Sequence, residues 1–319
     1  MRKSKCLIVG GSGQFGITLT KILIKLKCHI TISTRFIIKT KNKFNQLKIK
    51  NVNIIKLDIL NKKEVNNLIA NKFDYIFFFA GQSSPSLSFK HKKVTLKSNY
   101  EGCKNFIDAI KNQKKKTKFI NASSSEIFSI SNDKIDINSE KKPISPYGKS
   151  KLLSFNYTKN IRSKYNLNLY NAIMFNSESF FRNKNYLIPK ICLAAINAKR
   201  FKQKTQFGNL DIVREWNWCE DQCNLMLKFL KKKPCDFILS NGKFFSGHEM
   251  AKFAFEYFNL DYLDYIIKSK RFYRKKDFNI RTSNFKKNVE SKKLNWQPLM
   301  YGKKIIIKLI KFYLLKTKI

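Results

Sequence analysis

The chain has 319 residues, which is enough for one large or two modest domains with a buried core. Hydrophobic residues make up 43% and aromatic residues 14% of the chain, which excludes a disordered, collagen-like or coiled-coil protein. The formal net charge is +44, yet only nine of the 65 basic residues are Arg. Nucleic-acid-binding proteins favour Arg, because its planar guanidinium binds phosphate and guanine through two hydrogen bonds. Lys spread along the whole length therefore indicates a compositional bias, and we expect no nucleic-acid partner. A polyanion-binding role of this charge is the remote alternative.

The seven cysteines are odd in number and lack the paired spacing of a metal site. We therefore expect reduced thiols, no metal and a cytoplasmic location. The first apolar strand begins at Cys6 and runs directly into a glycine turn, so we expect no signal peptide. No apolar run reaches the roughly 18 residues that a membrane span requires. The segment 305–315 is apolar with interspersed Lys, which favours a terminal helix docked on its own domain over an interfacial helix.

Strands and helices alternate from the N-terminus. A strand at 6–9, a glycine turn at 10–16, a helix to Lys27 and a strand at 29–33 form a βαβ unit. Apolar runs without strict alternation predict strands that are covered on both faces, hence a parallel sheet. Further predicted strands lie at 53–57, 75–79, 118–121 and 167–175, with helices such as 62–69 and 100–112 between them.

This order predicts an α/β protein with a Rossmann-type, doubly wound parallel sheet. We expect residues 1–176 to form an NADP-binding domain that also carries the catalytic residues. Residues 177–319 would form a smaller mixed α/β domain for the substrate, with some segments returning to the first domain.

The glycine turn predicts the cofactor. Gly10, Gly13 and Gly16 follow a strand and open a helix, as in dinucleotide-binding proteins. Glycine is required where the turn is tight, where backbone approaches pyrophosphate and where helix packs on strand. The helix N-terminus supplies free N–H groups and partial positive charge to the phosphates.

The end of the second strand predicts which dinucleotide binds. NAD-binding proteins usually have Asp or Glu there, but this chain reads Ile32-Ser33-Thr34-Arg35. Arg35 suits a 2′-phosphate, so we expect NADP; a solvated surface Arg is the alternative. Asp58, after the third strand, is a candidate partner of the adenine amine.

Tyr147 and Lys151 are four residues apart, which places them on one helix face. A cationic Lys stabilises a phenolate, so the Tyr can take a proton from a sugar hydroxyl. The Ser123-Ser124-Ser125-Glu126 cluster follows a strand, at the sheet edge where such folds place their chemistry. A carboxylate beside a Tyr/Lys pair is what an elimination needs and a simple reductase lacks.

These motifs resemble the extended short-chain dehydrogenase/reductases, and within them the nucleotide-sugar branch and the GDP-mannose 4,6-dehydratase family. The most specific of the matching pieces are Asn176-Ser177-Glu178-Ser179 and Gly208-Asn209-Leu210-Asp211. The other pieces occur in family order over nearly the whole chain: Gly81-Gln82-Ser83-Ser84, Ala122–Phe128, Arg214-Glu215-Trp216, Arg271–Arg274 and Leu294–Pro298.

The resemblance implies a redox-neutral dehydration. Tyr147 would remove the C4 hydroxyl proton while hydride passes from C4 to NADP⁺. Glu126 would abstract the C5 hydrogen, water would leave from C6 with Glu126 or Ser124 handling the proton, and the hydride would return to C6. The product is a 4-keto-6-deoxy sugar.

The resemblance also implies three sets of site residues, with no metal ligand among them. The catalytic residues are Ser124, Glu126, Tyr147 and Lys151. The NADP contacts are Gly10, Gly13, Gln14, Phe15, Gly16, Arg35, Asp58, Ala80, Gln82, Tyr147 and Lys151. The contacts to the nucleotide sugar, favoured as GDP-mannose, are Ser84, Asn176, Glu178, Lys190, Asn209, Arg214 and Arg274.

Alternatives stay open at several of these positions. Asn176 is also explained as the holder of a strand end, and Lys190 as one more surface lysine. Where the family has Pro-Arg-Arg-Gly, this chain has Phe180-Phe181-Arg182-Asn183. Ser84 stands where the family usually has His. The loop that supports the family's tetramer keeps only Arg35, which argues against that tetramer contact, so the expected assembly is either a homodimer or a homotetramer. An epimerase or 4-keto reductase of the same fold is the alternative function.

Overall fold

The computed structural model describes residues 1–113, 116–129, 134–272 and 280–316. The strands are β1 (Lys5–Val9), β2 (His29–Thr34), β3 (Val52–Lys56), β4 (Tyr75–Phe78), β5 (Lys118–Ser124), β6 (Leu169–Met174), β7 (Ser177–Glu178), β8 (Thr205–Phe207), β9 (Val213–Glu215), β10 (Asn217–Trp218), β11 (Asp236–Leu239), β12 (Phe244–Ser246), β13 (Ile266–Lys268) and β14 (Ile280–Arg281). The α-helices are α1 (Gln14–Lys25), α2 (Ile37–Gln46), α3 (Lys62–Ala70), α4 (Pro85–Lys90), α5 (Lys92–Leu96), α6 (Gly102–Asn112), α7 (Pro146–Tyr165), α8 (Leu187–Phe201), α9 (Cys219–Phe229), α10 (Gly247–Glu256), α11 (Phe285–Asn288) and α12 (Lys303–Lys316).

The chain divides into two compact units. The first consists of Met1–Ser129, Ile137–Met174 and Cys223–Leu239, and the second of the described residues in Ile130–Asp136, Phe175–Gln222 and Ser240–Ile319. Both units are therefore assembled from segments that are separated in the chain.

The first unit is built on a seven-stranded sheet of order β11-β6-β5-β4-β1-β2-β3. Every neighbouring pair in this sheet is parallel. The chain order reverses between β1 and β4, which is the switch point where such sheets bind ligands at the carboxyl ends of their strands. The predicted Rossmann-type sheet is thereby confirmed.

Apolar side chains explain the strands and their covering helices. The β1 side chains from Cys6 to Val9 are fully buried, as expected for a strand covered on both faces. On one face the core combines strand residues such as Phe78 and Phe119 with Phe106 and Ile110 of α6. Burial of this aromatic cluster supplies the hydrophobic free energy that holds α6 against the sheet.

The fifth strand is longer than predicted. The sequence predicts its end at Asn121. In the structure Ala122, Ser123 and Ser124 continue the pairing with β6. Pairing with a neighbouring strand satisfies their backbone groups and carries Ser124 to the carboxyl edge of the sheet.

The second unit contains small sheets, β7-β10, β8-β13 and β12-β9-β14, and a helical core. Buried side chains of α8, α10 and α12 pack together there. The predicted terminal helix is confirmed as docked on its own unit, because Ile305, Ile306, Leu309 and Ile310 are fully buried. No helix within the described part of the chain is both long and apolar enough to cross a membrane.

Candidate active site

Gly10 makes the tight turn after β1. Its φ is +81°, in the left-handed region that favours glycine, and its N–H donates to the carbonyl of Ser33 at 3.1 Å. A Cβ at this position would lie 2.7 Å from the backbone nitrogen of Ala80. The predicted cofactor residues Gly10 and Ala80 are therefore in contact at the switch point of the sheet.

Gly13 and Gly16 shape the start of α1. A Cβ at Gly16 would lie 2.4 Å from the Cα of Gly11, so the absence of a side chain lets α1 pack directly on the turn. At Gly13, the residue before α1, the nearest protein atom to an added Cβ is 3.6 Å away. The turn thus presents an open backbone surface at a helix N-terminus, which is the geometry that fits a dinucleotide pyrophosphate.

The neighbouring cofactor candidates complete this edge. The Phe15 ring packs against the Phe79 ring, with their centroids 5.6 Å apart. Gln14, the first residue of α1, is half-buried. Arg35 follows β2, is exposed, and lies 5.6 Å from the Phe36 ring centroid. Asp58 is exposed after β3, where its Oδ1 accepts the N–H of Leu60 at 3.0 Å.

The loop after β4 is held by a hydrogen-bonded ring of two predicted site residues. The Gln82 Nε2 donates to the Ser84 carbonyl at 2.7 Å, and the Gln82 Oε1 accepts the Ser84 N–H at 2.8 Å. The Ser84 hydroxyl caps α4 by accepting the N–H of Leu87 at 3.3 Å. Both predicted side chains are thus already engaged in shaping their own loop.

Tyr147 and Lys151 lie in the first turns of α7, next to the sheet. The Lys151 Nζ is 5.9 Å from the centre of the Tyr147 ring and donates to the Ala122 carbonyl of β5 at 2.8 Å. Lys151 is 6% exposed, and burial lowers its pKa from 10.5 to about 8, partly opposed by Cys103. A buried ammonium beside a phenol is an arrangement that stabilises phenolate.

Ser124 and Glu126 follow β5 at the same edge of the sheet. The Ser124 Oγ accepts the N–H of Glu126 at 3.2 Å, while the Glu126 side chain stays half-buried. A Cβ at Gly148 of α7 would lie 2.4 Å from the Glu126 carbonyl oxygen. The structure therefore brings Ser124 and Glu126 into the same neighbourhood as the Tyr147/Lys151 pair.

Two residues that sequence reasoning missed support this neighbourhood. Asn99, in a π-helical turn before α6, donates through Nδ2 to the Gln82 carbonyl and to the Ser150 hydroxyl, both at 3.0 Å. The Ser88 hydroxyl accepts the N–H of Tyr147 at 3.1 Å. Their partners lie far away in the chain, so no local pattern marks them.

The predicted substrate residues of the second unit have varied surroundings. The Asn176 carbonyl accepts the backbone and side-chain N–H groups of Asn217, both at 3.0 Å, as expected of a strand end. The Asn209 Oδ1 accepts the N–H of Asp211 at 2.8 Å, and the buried Arg214 donates to the Val213 carbonyl at 2.8 Å. Arg274 lies outside the described residues.

Lys190 and Glu178 are more enclosed than surface residues. The Lys190 Nζ donates to the Gln206 carbonyl at 2.6 Å and lies 4.0 Å from the Phe272 ring centroid. Glu178 is 1% exposed, and burial raises its pKa from 4.5 to about 7, with Arg182 acting in the opposite direction. The Arg182 Nε is 3.9 Å from the Glu178 Oε1.

The fold has a glycine turn at the switch point of its parallel sheet and a Tyr147/Lys151 pair on α7. Together these features define the class of extended short-chain dehydrogenase/reductases. A family model described as GDP-mannose 4,6 dehydratase matches residues 7–308. The chain belongs to this family.

Curated relatives agree with this classification. The GDP-mannose 4,6 dehydratase 2 of Arabidopsis thaliana is 27% identical over 94% of this chain and 84% of its own length. The Vibrio cholerae O1 GDP-mannose 4,6-dehydratase is also 27% identical, over 78% of this chain and 70% of its own.

Two solved structures share the fold. A UDP-N-acetylglucosamine 4-epimerase from Methanobrevibacter ruminantium has a TM-score of 0.85 at 19% identity and covers 99% of this chain and 100% of its own. The dTDP-glucose 4,6-dehydratase of Bacillus anthracis, solved in complex with NAD, has a TM-score of 0.82 at 16% identity and covers 99% and 98%.

Proposed function

We propose that this protein is a 4,6-dehydratase that converts GDP-mannose to GDP-4-keto-6-deoxymannose, with NADP as its cofactor. The observation that carries the proposal is the contact of α7 with Glu126. Gly148 abuts the Glu126 carbonyl, and the neighbouring Lys151 is anchored on Ala122 of β5, the strand that Glu126 follows. A carboxylate and a Tyr/Lys pair therefore share one edge of the sheet, as a coupled oxidation and elimination requires.

The cofactor would bind at the turn after β1. Gly10, Gly13 and Gly16 leave the backbone surface open to a pyrophosphate, and the exposed Arg35 suits a 2′-phosphate. The other proposed cofactor contacts border the same edge of the sheet: Gln14, Phe15, Asp58, Ala80 and Gln82. When bound, the nicotinamide supplies a temporary oxidation at C4 that is reversed at C6, so the reaction has no net redox change.

Tyr147 acts as the base at the C4 hydroxyl. The buried Lys151 ammonium lies beside the phenol and favours its ionised form, so the Tyr147 oxygen can accept the hydroxyl proton. The pKa of Lys151, lowered to about 8, keeps the ammonium mostly charged at pH 7. The Ala122 carbonyl fixes the position of that ammonium.

Glu126 acts at C5 after C4 has become a ketone. The ketone acidifies the C5 hydrogen, and the Glu126 carboxylate removes it as a proton. The C6–O bond then breaks, and Glu126 or Ser124 supplies the proton with which the oxygen leaves as water. The hydride returns to C6 while C5 takes up one proton from solvent, and the proton that Tyr147 accepted is released to solvent. The Ser124 hydroxyl, at 3.2 Å from the Glu126 N–H, stays next to this step.

The second unit supplies the contacts to the nucleotide sugar in this proposal, together with Ser84 of the first unit. Arg214 and Arg274 suit the diphosphate because charge-assisted hydrogen bonds to phosphate are strong. The remaining proposed contacts are Asn176, Glu178, Lys190 and Asn209. The active form is proposed to be a homodimer or homotetramer, which sedimentation equilibrium would distinguish.

Mass spectrometry of the products tests the proposal. We expect GDP-mannose, incubated with the protein and a catalytic amount of NADP⁺, to lose one water without net formation of NADPH. The Tyr147→Phe variant should bind the cofactor but yield less than about 1% of this product, because general acid–base groups contribute roughly 10²–10⁴-fold.

Other outcomes would reassign the reaction. An isomer of unchanged mass indicates an epimerase, and stoichiometric consumption of NADPH indicates a reductase. Water loss from a different nucleotide sugar would keep the dehydratase and replace its substrate. Full turnover by Tyr147→Phe would contradict the role given to Tyr147.

A further inference from the structure

Lys43 connects the second helix to the glycine turn. Its Nζ donates to the carbonyl of Ser12 at 2.9 Å, although the two residues are 31 positions apart. Ser12 lies between Gly11 and Gly13, inside the turn that opens α1. Lys43 is half-buried, so its ammonium is held at the turn and does not extend freely into solvent.

The place that Lys43 reaches is the edge where β1 and β2 end. The two strands are paired, with Val9 opposite Ser33, and the next residue, Gly10, donates to the Ser33 carbonyl at 3.1 Å. Arg35 follows β2 immediately, so Ser12 and Arg35 leave adjacent strands at the same edge. In Rossmann-type folds the adenosine ribose binds between these two segments.

Thr34 occupies the last position of β2, where an acidic residue would accept from a ribose 2′-hydroxyl. The Thr34 Oγ1 instead accepts the N–H of Phe36 at 3.2 Å and the hydroxyl of Thr40 at 3.0 Å. Thr34 is thereby turned toward the start of α2 and is only 7% exposed. The site thus lacks the carboxylate that would repel a phosphate.

Two positively charged side chains, Lys39 and Lys43, lie on α2 near this strand end. Burial, together with the neighbouring charge of Lys39 one turn earlier, lowers the pKa of Lys43. No carboxylate in the described part of the chain lies within ion-pair distance of Lys39 or Lys43. An ammonium has three donors, of which the Ser12 carbonyl takes one. An anion at this place would relieve the repulsion between the two lysines.

We propose that Lys43 binds the 2′-phosphate of NADP and, with Arg35 and Lys39, makes the protein select NADP over NAD. The inference rests on the dinucleotide site of the proposed function and adds a residue from α2 to it. Because Lys43 also holds the Ser12 carbonyl, recognition of the 2′-phosphate is tied to the turn that binds the pyrophosphate.

Calorimetric titration of the full-length protein with NADP⁺ and with NAD⁺ tests this role, since the two ligands differ only in the 2′-phosphate. Lys43→Met should weaken the binding of NADP⁺ about tenfold or more, as expected for a lost charge-assisted contact, and the binding of NAD⁺ less than threefold. Lys43→Arg should retain most of the preference. Lys41→Met is the matched control, because Lys41 is exposed and lies about 200° around the same helix.

The outcomes separate this inference from the proposed function. Equal weakening of both ligands by Lys43→Met would show that Lys43 only supports the turn, and unchanged binding of both would show that it contacts neither; each result overturns the inference. A wild-type protein that binds NADP⁺ no better than NAD⁺ also overturns it, while the dehydration is tested separately with NAD⁺. Binding of neither ligand would contradict the dinucleotide site itself.

Discussion

At Glu126 a half-buried carboxylate residue follows β5 directly, two residues after the hydroxyl that accepts its N–H. The role proposed for this side chain makes a specific isotopic prediction. The proton that it removes from C5 exchanges with solvent before the carbon is reprotonated, so the product formed in deuterium oxide should carry one deuterium at C5.

Glu126→Gln should slow water loss at least about 100-fold, because an amide cannot accept the C5 proton. The rate and the deuterium content are both measured by mass spectrometry of the product. Glu140→Gln, in the same unit and exposed, serves as the control and should behave like the wild type. Dehydration by Glu126→Gln at the wild-type rate would assign the C5 proton to another group.

Glu178 allows a prediction about stability and pH. Its pKa is raised to about 7 in the folded protein by burial, against 4.5 ordinarily. Between these values the unfolded chain loses the proton and the folded protein keeps it, so stability falls as the pH rises from about 4.5 to 7. Glu178→Gln mimics the neutral acid and lacks this loss.

Urea unfolding at pH 5 and pH 8 measures this difference. From pH 5 to pH 8 the free energy of unfolding of the wild type should fall by up to about 3 kcal/mol more than that of Glu178→Gln. Glu256→Gln, on the surface of the same unit, should show a much smaller change. A difference that is independent of pH would mean that Glu178 is ionised in the folded protein.

The start of α7 positions the catalytic pair. Pro146 occupies the first helical position and the Ser145 hydroxyl accepts the N–H of Gly148 at 3.0 Å, so the helix begins at a defined point. Gly148 then lies against the Glu126 carbonyl and against Pro143. Glycine is ordinarily about 0.5–1 kcal/mol worse than alanine inside a helix, so this close approach explains its use here.

Gly148→Ala should therefore destabilise the protein by about 1–3 kcal/mol, although the same change in an open helix would stabilise it. Displacing the first turn of α7 should also lower kcat at least about tenfold, because catalytic groups tolerate little misplacement. Thermal unfolding and steady-state kinetics measure the two effects. Lys149→Ala, one residue further and exposed, should leave both nearly unchanged. Increased stability of Gly148→Ala would show that α7 can move away without cost.

Across the whole molecule, the net charge of +44 bears on the stability of the folded protein. Like charges repel more strongly in the compact state, and salt screens them over a Debye length of about 10 Å at 0.1 M. The Tm should therefore rise when NaCl is increased from about 0.05 M to 0.5 M. Differential scanning calorimetry measures the shift. A Tm that falls with salt would mean that attractive ion pairs dominate.

Local patterns were sufficient for the sheet, the glycine turn and the docked terminal helix. A parallel strand covered on both faces must be apolar throughout, and a tight turn next to a strand requires glycine, so both leave marks within a few residues of sequence. The end of β5 was predicted too early, because the pairing of Ser123 and Ser124 with β6, a segment distant in the chain, extends the strand.

Contacts between distant parts of the chain required the folded structure. The bonds of Asn99 to Ser150 and of Lys43 to Ser12, and the approach of Gly148 to Glu126, join residues that the crossovers of the sheet bring to one edge. The same is true of the burial of Glu178, since the surroundings of a carboxylate decide its pKa and its own sequence neighbours do not. Residue type and spacing were enough to suggest the chemistry, whereas packing decided which groups support it.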